Sequence, residues 1–164
     1  MADLVPNGIE KIKRSEFLTY LDTTPASSET WKILGVGITD YAISFNPQVE
    51  TEKWIIEDNA RTDHQSNQKQ STVSQKCYKN DAVFEFVQAG RDELNYKTHI
   101  LDIDMWNGSE GSYPAKKSDG IITVTSYGGE NQLIEYDLYY DGDAVEGTVT
   151  FTGGVPTFVP NASL

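Results

Sequence analysis

The side chains in this chain best suited to chemistry are His64, His99, Cys77 and two carboxylate pairs, Asp102/Asp104 and Glu135/Asp137. Nucleophilic catalysis needs a serine, threonine or cysteine within hydrogen-bond reach of a base. His64 lies in a wholly polar run, Asn59 to Gln70 (NARTDHQSNQKQ), where a mobile loop would hold a base badly. His99 opens a strand and reads as a surface or edge histidine. Cys77 stands alone, so no intrachain disulfide is expected, and it reads as a small buried filler. A glycosidase would need one carboxylate of a pair in a pocket with its pKa raised, and no pocket is marked. Asp102-Ile-Asp104-Met-Trp-Asn107-Gly108 resembles a calcium loop only at its start: Trp106 takes the third ligand position and the glycine falls late. Strand alternation accounts for both aspartates more cheaply. Gly35 and Gly37 bracket Val36 without the third glycine and the helix that a dinucleotide site needs. The expectation is no catalytic residue, no cofactor and no metal.

Charge narrows the partners. The chain carries 25 acids against 13 bases, a net charge of −12. Its bases are scattered, in runs no longer than Lys13-Arg14 and Lys116-Lys117. Tight nucleic-acid binding needs clustered bases and is not expected. The 164 residues fit one domain, and nine Tyr, six Phe and three Trp supply core bulk despite a mean hydropathy of −0.48. No apolar run reaches the roughly 18 residues of a membrane span. The first residues (MADLVPNGIEKIKR) lack the apolar centre of a secretion signal, so synthesis in the cytosol is the default. Asn107-Gly-Ser109 and Asn161-Ala-Ser163 match the glycosylation pattern, which acts only on a secretory route.

The elements that must position these residues centre on Ile43–Tyr78. A strand at Ile43-Ser-Phe-Asn-Pro leads to Trp54, Ile55 and Ile56, then to the polar run, and strand character returns at Ser71–Tyr78. Hairpin loops are usually about 2–5 residues, so a far longer polar excursion with an apolar root reads as a loop that grips another subunit. Strands are also expected at Arg14–Asp22, around Trp31 and Ile33, at Thr98–Trp106, Gly120–Tyr127, Gln132–Tyr140 and Val145–Phe151. Leu101, Ile103 and Met105 should face one way, with Asp102 and Asp104 on the wet side. Asp141-Gly142-Asp143 reads as a hairpin turn and Asn107–Asp119 as a second polar loop. One helix, about 81–93, is capped by Asn80 or Asp81 and carries Val83, Phe84 and Val87 on one face. The expected fold is mainly β: an antiparallel sandwich or barrel of seven or eight strands with one flanking helix and a long polar inter-strand loop. An N-terminal arm (1–12) and a C-terminal arm (153–164) flank the domain (13–152).

The phrases Trp31-Lys-Ile-Leu-Gly-Val-Gly-Ile-Thr-Asp-Tyr, Ile43-Ser-Phe-Asn-Pro-Gln-Val-Glu-Thr-Glu-Lys-Trp-Ile-Ile-Glu-Asp-Asn, Gln75-Lys-Cys-Tyr-Lys-Asn-Asp and Val83-Phe-Glu-Phe carry a family likeness. In these phrases and in element order the chain resembles bacteriophage major tail tube proteins, including the tube subunits of phage-tail-like particles. The likeness covers about Glu29 to Phe151. It implies hexameric rings stacked into a hollow tube that conducts DNA, or ions in a phage-tail-like particle. Tubes of contractile and of sheathless tails would read alike. The partners implied are copies of itself, with sheath, tape-measure and tail terminator or baseplate proteins beside them and no membrane insertion of the subunit. The location implied is the virion tail, after synthesis in the host cytoplasm. The inter-subunit loop would be Lys53–Gln70, with Trp54, Ile55, Ile56, Glu57, Asn59, Arg61, His64 and Gln68 as its contact residues. Asp102, Asp104, Glu135 and Asp137 are candidates for an acidic wet face, toward the lumen or the exterior, where like charge would keep DNA from sticking. The alternative is a carbohydrate- or receptor-binding β-sandwich with a stacking platform of Trp106, Tyr113 and Tyr139.

Overall fold

A computed structural model describes residues 6–162, so the expected arms' residues 1–5 and 163–164 lie outside the described residues. Among the described residues the strands are β1 (Phe17–Asp22), β2 (Trp31–Ile33), β3 (Pro47–Glu52), β4 (Arg61–Asn67), β5 (Gln70–Lys76), β6 (Tyr96–Asp104), β7 (Tyr113–Gly128), β8 (Leu133–Thr152) and β9 (Val155–Pro160). A single α-helix, α1 (Ala82–Ala89), lies between β5 and β6. Seven strands form one antiparallel sheet in the order β2-β1-β6-β7-β8-β5, with β9 added along the second half of β8. The sheet curls until its ends nearly meet. Past β2, the carbonyl of Gly37 accepts from Lys76 N of β5 at 3.0 Å, and Gln75 Nε2 donates to Val36 O at 3.0 Å. The class read from sequence holds: mainly β, barrel-like, antiparallel, with one helix.

The sheet buries apolar side chains on both faces. Leu21, Ile100, Ile122, Ile134, Tyr136 and Leu138 face α1, which contributes Val83 and Val87. Tyr20, Trp31, Leu101, Ile103, Ala115 and Val149 form a second core. Neighbours such as Ile100 and Leu101 point to opposite faces of a strand, so β6 is dry on both sides over part of its length. The alternation expected for Leu101 and Ile103 is present, but Asp102 is only partly exposed, on the strand face shared with Ile100.

Four local expectations are corrected. No turn forms at Asp141-Gly142-Asp143: β8 runs through it, and the register slips so that Lys117 faces Val145 while Asp119 faces Asp141. Gly142, at φ +75°, serves a bulge there rather than a turn. The supposed loop Asn107–Asp119 becomes strand from Tyr113 onward, because β8 beyond the bulge supplies a partner. The C-terminal segment does not leave the sheet. Gly153 and Gly154, both at positive φ, turn the chain back and β9 pairs with β8 from Gly147 to Thr152. Its Pro156 and Pro160 are tolerated because β9 is an edge strand. The helix is shorter than expected, ending at Gly90, where a Cβ would strike the Tyr96 ring. Its N-cap is Asp81, which accepts from Val83 N at 3.2 Å.

Candidate functional site: a projecting ribbon

The polar excursion is not a loop. β3 and β4 pair as a two-stranded antiparallel ribbon in which every strand residue is exposed. The ribbon has almost no packing against the rest of the chain. Six paired residues per strand at about 3.4 Å each carry it about 20 Å from the body before its tip begins. Both of its faces meet water, so its sequence shows no apolar alternation, and that hid the strands. Isolated hairpins are marginal in water, and this one is braced at both ends.

The root is a continuation of β5. Ser44 and Gln70 exchange backbone hydrogen bonds of 2.8 and 2.9 Å. Gln68 N donates to Phe45 O at 2.9 Å, and Asn46 Nδ2 donates to Gln68 O at 3.1 Å. Of the expected strand at Ile43–Pro47, only the Ser44 bridge and the first residue of β3 are realised. Gln70 itself pairs with Tyr139 of β8, so the ribbon is a lever set into the sheet.

The tip is organised by Arg61. Its guanidinium stacks 4.1 Å from the centre of the Trp54 ring. The same group grips Glu57, with Nε 2.6 and 2.9 Å from the two carboxylate oxygens. Trp54 Nε1 donates to Glu52 Oε1 at 2.8 Å, and Glu57 N closes a turn onto Trp54 O at 3.0 Å. Clamped in this way, the turn presents Ile55 and Ile56 outward at 102% and 84% exposure. Trp54, Glu57 and Arg61 are therefore brought together, and Asn59 lies exposed beside them. His64 is elsewhere, midway along β4, where its Nε2 lies 2.7 Å from Asn67 Oδ1. Gln68 belongs to the root.

The four acidic candidates do not share a face. Glu135 and Asp137 lie on the outer side of β8, opposite Ser74 and Thr72 of β5, and Thr72 Oγ1 donates to Asp137 Oδ1 at 2.8 Å. Asp102 faces the first core, correcting its wet-face reading. Its carboxylate accepts from Thr19 Oγ1 at 2.8 Å and Tyr140 OH at 2.9 Å, and the Tyr140 hydroxyl lies 2.6 Å from that of Tyr41. Burial pushes the Asp102 carboxyl up to about 6, against the pull of Thr19, Tyr140 and Lys69. Burial, then the Asp102 charge, drives both tyrosine hydroxyls far above their ordinary value. Asp104, on the same strand face near the end of β6, is half-buried.

His99 is not a simple surface histidine. Its Nδ1 lies 2.9 Å from Asp22 Oδ2, and Asp22 is completely buried, with Thr24 N and Thr30 N donating to its other oxygen at 3.0 Å. A cavity of about 430 Å3 opens beside His99, lined among the described residues also by Glu29, Lys117, Asp119 and Asp143 but by no serine, threonine or cysteine. Among the described residues His99 has no nucleophile beside it in this cavity. The aromatic platform does not assemble either. Tyr113 packs edge-on against Phe151, whereas Tyr139 pairs with Ile121, about 26 Å further along β7.

Sequence reasoning names Arg61 as a contact residue but not its clamp, since a cation following an indole by seven residues carries meaning only once the ribbon folds, and it misses one residue, Gln75. Gln75 is fully buried: its amide donates to Val36 O and Asp81 Oδ2 (2.8 Å), and its carbonyl accepts from Tyr136 OH at 3.0 Å. Its inward place in the Ser71/Val73/Gln75 alternation was the available signal. Neither a protein-family model nor a curated protein matches the chain.

Proposed function

We propose that this protein is a structural subunit that assembles with copies of itself into hexameric rings, stacked as the hollow tube of a phage tail or phage-tail-like particle, through which DNA or ions pass. The observation that carries this reading is the braced ribbon, which holds two isoleucines in water at the end of a lever about 20 Å long. Exposed apolar groups gathered at one point mark an interaction site. No catalytic constellation competes with it among the described residues.

The outer side of β5, β8 and β7 supports a lumen role. Thr72 and Ser74, Glu135 and Asp137, and Thr123 make this face polar and mildly acidic. Lys76, at the end of β5, stands exposed on the same face beside these two acids, so such a wall offers a polyanion hydrogen bonds with few cationic anchors, and few counterions are released on contact. Sheath, tape-measure and terminal tail proteins are the further partners this reading implies.

The test is assembly. Purified wild-type protein at high concentration should show rings or hollow rods by negative-stain microscopy. Ile55→Asp with Ile56→Asp should remain monomeric by sedimentation with its melting temperature unchanged. Burying each isoleucine is worth about 1.5–3 kcal/mol, so losing both should abolish assembly at micromolar protein. Normal tubes from the double variant, or a wild-type protein monomeric at every concentration, would refute the reading.

A further inference from the structure

Between the edge strand β2 and the amino end of α1 lies a groove of about 410 Å3. Its apolar lining is Ile33, Val36 and Tyr78, exposed at 41%, 49% and 50%. Lys32 and Lys79 stand on its rim. The single acid there, Asp81, is turned to the Gln75 amide and to its own helix as N-cap. The groove is thus a cationic, apolar recess on a chain whose net charge is −12.

We propose that this groove receives the ribbon tip of a second copy, Ile55 and Ile56 filling the apolar recess while the ribbon's acids meet Lys32 and Lys79. The proposal rests on the reading of the ribbon as the self-association arm and names where that arm lands. Charge complementarity argues for it: from Pro47 to Asn67 the ribbon carries five acids against two bases, and one of those bases, Arg61, is spent on Glu57. The chain's own tip is not the occupant, since Ile55 is wholly exposed and the groove's apolar residues stand open. Tip and groove are different patches, so the contact is heterologous. It must either close a ring or run on as a filament, the two geometries a stacked tube combines.

Cross-linking tests it directly. Ile55→Cys and Val36→Cys are prepared separately, both with Cys77→Ala, then mixed and mildly oxidised. The mixed disulfide should exceed that of Ile55→Cys with Thr123→Cys, on the outer face of β7, by about tenfold. In parallel, Lys32→Glu with Lys79→Glu should weaken association about tenfold, and Asp58→Lys with Asp63→Lys on the ribbon should restore it, which a misfolded protein could not do. Assemblies that form while Ile55→Cys prefers Thr123→Cys, or in which Ile9→Cys of the N-terminal arm links to Val36→Cys instead, overturn the groove but leave the arm reading intact. A chain that never assembles removes both.

Discussion

Replacing Asp102 by asparagine should stabilise the fold at neutral pH, although the carboxylate it removes is hydrogen-bonded. In the folded chain burial raises this carboxyl from 3.8 to about 6. Between those values the folded chain holds a proton that the unfolded chain has released. Stability therefore falls as pH rises through the window, and the penalty is complete above it. A shift of that size amounts to about 3 kcal/mol. Asparagine is neutral and nearly the same shape. Its carbonyl can accept from the Thr19 hydroxyl, and its amide can donate to Tyr140, whose own hydrogen turns to Tyr41. The assay is urea unfolding followed by tryptophan fluorescence, at dilute protein, from about pH 4 to about pH 8, with stability taken as variant minus wild type. Asp81, also raised by burial, is common to both chains and cancels. The difference should climb by about 2–3 kcal/mol between about pH 4 and about pH 7. A flat difference would mean the carboxylate is not desolvated. A falling one would mean its hydrogen bonds outweigh its burial, and either result refutes the reasoning.

Two further variants separate the tip from the body. Arg61→Ala should free Trp54 and Glu57 and weaken self-association, measured by sedimentation, while the thermal midpoint of the body stays within the equivalent of about 0.5 kcal/mol. Unchanged assembly would show that the clamp is idle. Gln75→Leu should act in the opposite way, lowering stability by about 2–4 kcal/mol in urea unfolding, because Val36 O, Tyr136 OH and Asp81 lose their shared partner. A loss under about 0.5 kcal/mol would show that water replaces the amide without penalty.

What the sequence disclosed depended on whether one face of an element is dry. Ile134, Tyr136 and Leu138 alternate with Glu135 and Asp137 because β8 has one buried side there, and the strand was legible. The ribbon has no buried side, so its strands read as loop. Asp102 was misplaced because its partners are remote: Thr19 lies 83 residues before it and Tyr140 lies 38 after it. Asp141-Gly142-Asp143 has the chemistry of a hairpin, and only the long partner strand β7 decides that it bulges instead. The site was legible in outline, as an apolar knot beside a polar run. Its geometry was not, because the Arg61 contacts exist only when β3 and β4 are in register.

That the excursion is a ribbon rather than a loop changes the energetics of the proposed assembly. Ordering a mobile segment opposes binding by about 1–2 kcal/mol for each backbone residue fixed. Here the strands are already paired, the root is tied into β5 and Arg61 holds the turn, so little ordering remains. The gain is small as well: two isoleucines, part of an indole and a few screened charges. A single tip contact is therefore weak, and the acidic surface keeps dilute chains apart. Closure into a ring changes that balance. Once neighbours are held, each further contact forms at high effective concentration, and many weak contacts become one stable object. A preorganised arm with a modest tip is what such a subunit needs, since a tighter tip would trap wrong partial assemblies and a looser arm would not assemble at all.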